Sequence, residues 1–210
     1  MFCVFFEVVP REGQGDAYLQ IAAAMRRQVE AVDGFLDVER FRDLSRPGAF
    51  LSFSTWRDEK ALIRWRVDAK HHVVQARGRS DIFAAYRIRI GEMTADSEAA
   101  DPPVQFRYDE TATGAAKAVT IAEHPTGTPH PAPGALSTVT FDSVTREGRS
   151  ATLTGWPDAA AGAMVPPSDT RTRTFRIVRD YTMVERTEAP QYFPPVGMVQ
   201  DPFAMHVQAL

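Results

Sequence analysis

The alternation of apolar and polar positions predicts β-α-β-β-α-β over the first ninety residues. CVFFEVV (3–9) is apolar on both faces, the pattern of a strand covered on both sides, and Pro10 with REGQG ends it. From Asp16, an expected cap, Tyr18, Ile21, Ala22, Met25, Val29 and Val32 recur at helical spacing, with Arg26, Arg27 and Glu30 opposite them. Asp33-Gly34 stops that helix. FLDVERFRD and AFLSFSTW then alternate as strands around the turn Arg46-Pro47-Gly48. Asp58 opens a second helix through Ala61, Leu62 and Trp65, and IFAAYRIRI forms the fourth strand. This order is the ferredoxin-like α+β plan.

A search for internal repeats adds a second unit. PGALSTVTFDSVTREGRSATLTGWPDAAA lies without a gap on DGFLDVERFRDLSRPGAFLSFSTWRDEKA. Gly34, Phe41, Gly48, Trp56 and Asp58 thereby face Gly134, Phe141, Gly148, Trp156 and Asp158. AKAVTIAEHP matches CVFFEVVP with Pro125 in the place of Pro10. Where the first unit has a long helix, the second has only TGTPHPAP, and its other helix shrinks to PDAAAGAM before Pro166-Pro167. TFRIVRDYTMVER supplies the last strand. The expected organisation is a complete domain at 1–94, a linker at 95–103, an eroded and mostly β repeat at 104–190, and a Pro-containing tail at 191–210. An unrelated β-rich tail is the competing description.

Composition changes the picture little. Hydrophobic residues at 44% and charged residues at 24% are ordinary for a globular chain, and a net charge of -3 gives no reason to expect nucleic acid or an anionic membrane. No apolar run is long enough to span a bilayer, and the N-terminus lacks a basic leader and a small-residue cleavage site. The lone Cys3 has no internal partner for a disulfide. A cytoplasmic protein is expected.

The first unit resembles the antibiotic biosynthesis monooxygenase family, ferredoxin-like domains that pair their sheets as dimeric α/β-barrels. The resemblance rests on FFEVVPREG, Asp33-Gly34-Phe35-Leu36, SFSTWRDEKA and WRVDAKHHVVQARGR running into FAAYRIRI. Within it, Trp65-Arg66, His71, Gln75, Gly78-Arg79 and Tyr86-Arg87 are the most specific positions. RDYTMVERTEAP is similar to the segment that closes single-copy members. The resemblance implies a sheet paired with a second copy, either as a homodimer or as a pseudo-dimer within one chain. It also implies oxygenation of a small aromatic, quinone-type or polyketide-like molecule, in some members without metal or flavin. No cofactor is therefore expected. Two alternatives stand beside this reading: a non-catalytic binding or assembly module with the same barrel, and the family's haem-degrading branch. The haem branch implies Asn, Trp and a ligating His where this chain has Glu7, Trp65 and Gln75, and an amide is a poor iron ligand.

The residues themselves leave several roles open. His71 and His72 are adjacent, so on a helix they point apart and do not chelate one ion; no metal site is expected. If the helix runs past Trp65, His72 shares its face; if the backbone turns near Asp68, His71 points into the barrel. His71 is a candidate base, with the alternatives of a cap or a solvated side chain. Trp65, Phe5 and Phe6 are expected to form an apolar wall, with Gln75 as a polar contact. Tyr86 or Arg87 would hydrogen-bond a developing oxyanion. Glu7, a carboxylate in an apolar strand, is either a base or the partner of Arg40 or Arg87. Trp56 and Trp156, repeated at hairpin ends, are assigned to packing.

Overall fold

The reason β1 (Phe2–Pro10) is apolar on both faces is that it is a stave of a closed barrel with helices outside. The computed structural model describes residues 1–125, 133–163, 171–190, 192–197 and 201–203. After β1 come α1 (Gly15–Ala24), α2 (Arg26–Glu30), β2 (Phe35–Asp43), β3 (Phe50–Trp56), α3 (Glu59–Arg66), α4 (Ala69–Arg77) and β4 (Phe83–Asp96). The rest comprises β5 (Ala118–Pro125), β6 (Ser137–Ser143), β7 (Arg149–Trp156), α5 (Ala159–Ala163) and β8 (Thr172–Thr182). The fold is thus an α+β, ferredoxin-like one whose eight antiparallel strands close in the order β1-β3-β2-β6-β7-β5-β8-β4. β4 runs on to Asp96, so the first residues of the expected linker are strand. No helix among the described residues is long and apolar enough to cross a membrane.

Read from β4, the first half has the order β4-β1-β3-β2, and the second half, read from β8, has β8-β5-β7-β6. The registers agree as well. Phe41 pairs with Leu51 and Phe141 with Ala151, while Phe2 lies opposite Trp56 and Ala118 opposite Trp156. These pairings put Glu123 in the place of Glu7 and Pro125 in that of Val9, one residue from the placement the proline suggests in sequence. A one-residue slip reverses which side chains face inward, so the difference matters. At one seam, Phe41↔Ser143 and Asp43↔Phe141 flank Arg42↔Asp142; at the other, Gly91↔Ile177 and Met93↔Phe175 flank Glu92↔Arg176. Each seam is symmetric about its central pair, as a two-fold axis through both would require.

Alternation sorts the side chains. Phe5, Phe41, Leu51, Phe53, Ile121, Phe141, Phe175 and Ile177 point inward and pack as one core shared by both halves. Inward-facing carboxylates are paired: Glu7 with Arg89 at 2.7 Å and, in the equivalent place, Glu123 with Arg173. The outward face of the first half carries Phe2, Val4, Phe6, Ile88 and Ile90 under its helices. Threonines dominate the equivalent face of the second half: Thr120 bonds Thr174 at 3.4 Å and accepts from Trp156 Nε1 at 2.9 Å. The only helix over that face among the described residues is the five-residue α5. TGTPHPAP with His130, Pro166-Pro167 and much of the tail fall largely outside them.

Helix starts follow the expected chemistry with one exception. Asp58 Oδ1 accepts from Ala61 N at 2.8 Å, and Asp158 repeats the cap on Ala161 N at 2.7 Å. Asp16, expected as a cap, instead sits inside the first turn of α1, where its charge favours the helix dipole.

Candidate active site

The break between α3 and α4 creates the site. α3 ends at Arg66, the chain turns, and Asp68 caps α4 by accepting from His71 N at 2.9 Å. The cap turns His71 back onto the helix before it, where its ring stacks on Trp65 at 4.0 Å with 14° between planes. His71 Nδ1 lies 2.9 Å from the Trp65 carbonyl. A carbonyl oxygen only accepts, so this bond requires the proton on Nδ1 and leaves Nε2 with a free lone pair. Gln75, one turn on, donates to the Arg66 carbonyl at 3.4 Å; its Nε2 also lies 3.3 Å from His71 Nδ1, a longer contact that the protonated Nδ1 does not accept. Burial pushes the His71 pKa below its ordinary value against the raising effects of the Trp65 carbonyl and Asp68, so the ring is neutral at pH 7. Asp68→Ala is expected to cost about 1 kcal/mol of stability through the lost cap. It should also release His71 from Trp65, read as a weakened near-ultraviolet circular dichroism signal.

His71, Trp65 and Gln75 border a cavity of about 210 Å³ between the helices and the outer face of the first half's sheet. Its apolar wall includes Val4, Phe6, Leu62, Ile88 and Ile90, and its far side is closed by Tyr181, Arg186, Tyr192 and Phe193. His72 stacks on Phe193 at 5.2 Å and so fastens this closing segment, pointing away from His71's partner. Tyr86 Oη accepts from Arg186 Nη1 at 3.1 Å and from Arg79 Nη1. Two guanidinium donors occupy its lone pairs, so its own O–H is left to donate, and it has no acceptor among the described residues. Burial pushes the neighbouring Tyr181 hydroxyl up to about 12, so it stays protonated.

The structure therefore brings together Phe6, Trp65, His71, Gln75 and Tyr86 but not Phe5, Glu7 or Arg87. Phe5 is fully buried in the barrel, stacked on Phe53 at 5.0 Å and edge-on to Phe175 at 5.5 Å. Glu7 is held by Arg89, neither by Arg40, which is on the outer face, nor by Arg87. Arg87 grips Asp180 through Nε at 2.8 Å and Nη2. In each case strand alternation sends the neighbour, Phe6 or Tyr86, to the cavity and the expected residue to the interior. His71 enters this outer cavity and not the barrel. Trp56, assigned to packing, also borders it while donating to Ser54 Oγ at 3.0 Å. Sequence reasoning missed Arg40, Tyr181, Arg186, Tyr192 and Phe193. The family-like RDYTMVERTEAP stretch contains Tyr181 and Arg186 and was the available signal for them.

The family profile described as antibiotic biosynthesis monooxygenase matches residues 1–77. Over 217 aligned residues the chain is 34% identical to the jasmonate monooxygenase ABM of Pyricularia oryzae, covering 94% of this chain and 100% of that one. Among solved structures, a Pseudomonas aeruginosa protein is 20% identical over 42% of this chain and 89% of its own, with a TM-score of 0.38. An anthrone oxidase-like protein is 14% identical over 90% and 96%, also at a TM-score of 0.38. The full-length relative and the matched profile together show that this chain belongs to the antibiotic biosynthesis monooxygenase family.

Proposed function

We propose that the chain is a monooxygenase whose single complete site is the cavity beside Trp65 and His71, with His71 as base and Tyr86 as hydrogen-bond donor. The observation that carries this reading is the 2.9 Å contact of His71 Nδ1 with the Trp65 carbonyl, shorter than its 3.3 Å contact with Gln75 Nε2: a proton on Nδ1 serves the carbonyl and leaves Nε2 of a neutral, half-buried imidazole as a proton acceptor. The substrate is a small apolar molecule with an acidic C–H beside a carbonyl or phenol. Nε2 removes that proton, and the oxygen that gains charge is met by the Tyr86 O–H, itself polarised by Arg79 and Arg186. The carbanion gives one electron to dioxygen, the radical and superoxide combine, and the peroxide takes back the proton from His71. Loss of water then leaves a carbonyl, so a methylene and O₂ become C=O and H₂O with no external reductant. The jasmonate in the relative's name is a ketone-bearing acid, which fits a ketone α-carbon as well as an anthrone methylene.

The shared strand order and registers support a tandem origin, with a full unit at 1–94, a linker and an eroded repeat at 104–190. The second unit then serves as the partner sheet, so an external dimer is not needed for closure. Its threonine-rich outer face supports the view that only one site was kept. The test is oxygen consumption with anthrone and with jasmonic acid as substrates. Wild type is expected to take up oxygen with at least one, and Tyr86→Phe to slow it by roughly 10²–10³-fold. Binding without uptake would instead favour a non-catalytic carrier.

A further inference from the structure

The cavity lining holds four arginines, Arg40, Arg66, Arg79 and Arg186, and no Asp or Glu. None of the four is in an ion pair among the described residues, whereas the barrel-interior arginines Arg87, Arg89 and Arg173 each hold a carboxylate. The Nε atoms of Arg40, Arg66 and Arg186 are buried without a hydrogen-bond partner among the described residues, as are those of Arg89 and Arg173, so the missing carboxylate is what sets the cavity arginines apart. Uncompensated cations beside an apolar wall are costly unless an anion arrives to meet them.

These arginines do not stand together. Arg79 and Arg186 converge on Tyr86 and also donate to the Pro194 and Pro190 carbonyls, at 2.7 and 3.4 Å. Arg66 lies at the same end, close enough to Tyr181 to lower its pKa electrostatically. Arg40 is alone at the other end, on β2, with β3 and β1 between it and the strand of Tyr86. Three inter-strand spacings put roughly 14 Å between the two strands. Arg40 sits directly opposite Ser52, whose side chain lines the same cavity. Its Nη2 reaches the Ala22 carbonyl at a long 3.3 Å and its guanidinium also meets the Tyr18 hydroxyl, as Ser52 does, which leaves the remaining donors for a ligand.

We propose that the substrate is a carboxylate, held through its charged end by Arg40 and Ser52, with its apolar body crossing β3 and β1 so that the opposite end reaches His71 and Tyr86. This rests on the cavity being the substrate site and adds which kind of molecule it takes and in which direction. Arg40 is here a specificity-determining residue, remote from the reacting atoms. The neutral ester of the same acid lacks the charge that Arg40 recognises and fits otherwise.

The test is equilibrium binding followed by tryptophan fluorescence, since Trp56 and Trp65 border the cavity. The probes are jasmonic acid with methyl jasmonate, and 1-naphthylacetate with its methyl ester, applied to the full chain. Each acid is expected to bind the wild type about 10–100-fold more tightly than its ester. Arg40→Gln should remove that advantage, leave ester binding unchanged and preserve the melting temperature, while Arg40→Lys should restore part of it. Equal binding of acid and ester by the wild type, or an advantage abolished by Arg66→Gln but kept in Arg40→Gln, overturns the proposal and leaves the monooxygenase reading standing. Binding of none of the four probes removes the cavity as substrate site, and the proposal with it.

Discussion

Oxygen uptake by His71→Ala is expected to fall by roughly 10²–10⁴-fold, the range over which a positioned general base contributes. The fold should survive, because His71 contributes to a partly exposed surface layer and the Asp68 cap that it occupies uses only its backbone N–H. A melting temperature close to wild type, alongside lost turnover, separates a chemical role from a structural one. The wild-type pH profile gives the same residue a second readout. Burial lowers the His71 pKa below its ordinary 6.5, so Nε2 stays unprotonated down to a pH below that value. Activity should therefore persist through pH 6.5 and decline only as pH falls through the depressed folded-state pKa. Stability has the same sign: the unfolded chain takes up the proton first, so the His71 contribution is intact above 6.5 and is lost as pH falls through the folded pKa. A wild-type acid limb unchanged in His71→Gln, with turnover retained, would sink the assignment.

Phe5→Ala is expected to have the largest effect on stability, about 3–5 kcal/mol, as for aromatic side chains deleted from close-packed cores. Phe5 has no solvent exposure, stacks on Phe53 of its own half and meets Phe175 of the other half edge-on. The cavity left would open between the halves, so both should lose stability together. Thermal unfolding should remain one transition, displaced downward by roughly 6–20 °C for a chain of this length. Two separated transitions would show that the halves hold their own cores. Phe6→Ala, one residue on, lines the substrate cavity and should disturb binding more than melting.

That contrast between Phe5 and Phe6 shows what the chain revealed before its structure was known. Strand and helix order in the first half was legible because apolar spacing changes cleanly from period two to helical period at Asp16 and Asp58. The apolar pattern of β1 announced a strand covered on both sides, and the barrel itself was implied by the family resemblance. Which face was which could not be read: Phe5, Glu7 and Arg87 were placed in the site beside Phe6 and Tyr86, yet alternation sends them inward. Nothing local distinguishes a face that meets another sheet from one that meets helices. Trp65 and His71 were found through motif spacing, and the turn at Asp68 that joins them was one of two readings left open. Arg40 was considered only as a partner for Glu7, because only knowledge of the faces separates residues on opposite sides of a barrel wall. Tyr192 and Phe193 were invisible for another reason: they reach the cavity from more than a hundred residues away in sequence, with no periodicity to announce it.

The two seams carry a consequence for dilution. A barrel assembled from separate chains exists only in proportion to how much protein is present, since its halves are held by a bimolecular equilibrium. Here Arg42↔Asp142 and Glu92↔Arg176 join halves already linked by the polypeptide. Closure is a unimolecular event, and the shared core around Phe5, Phe53 and Phe175 forms at the same free energy whether one molecule or many occupy a compartment. The sheet behind His71 is thus kept rigid at concentrations where a two-chain barrel would come apart.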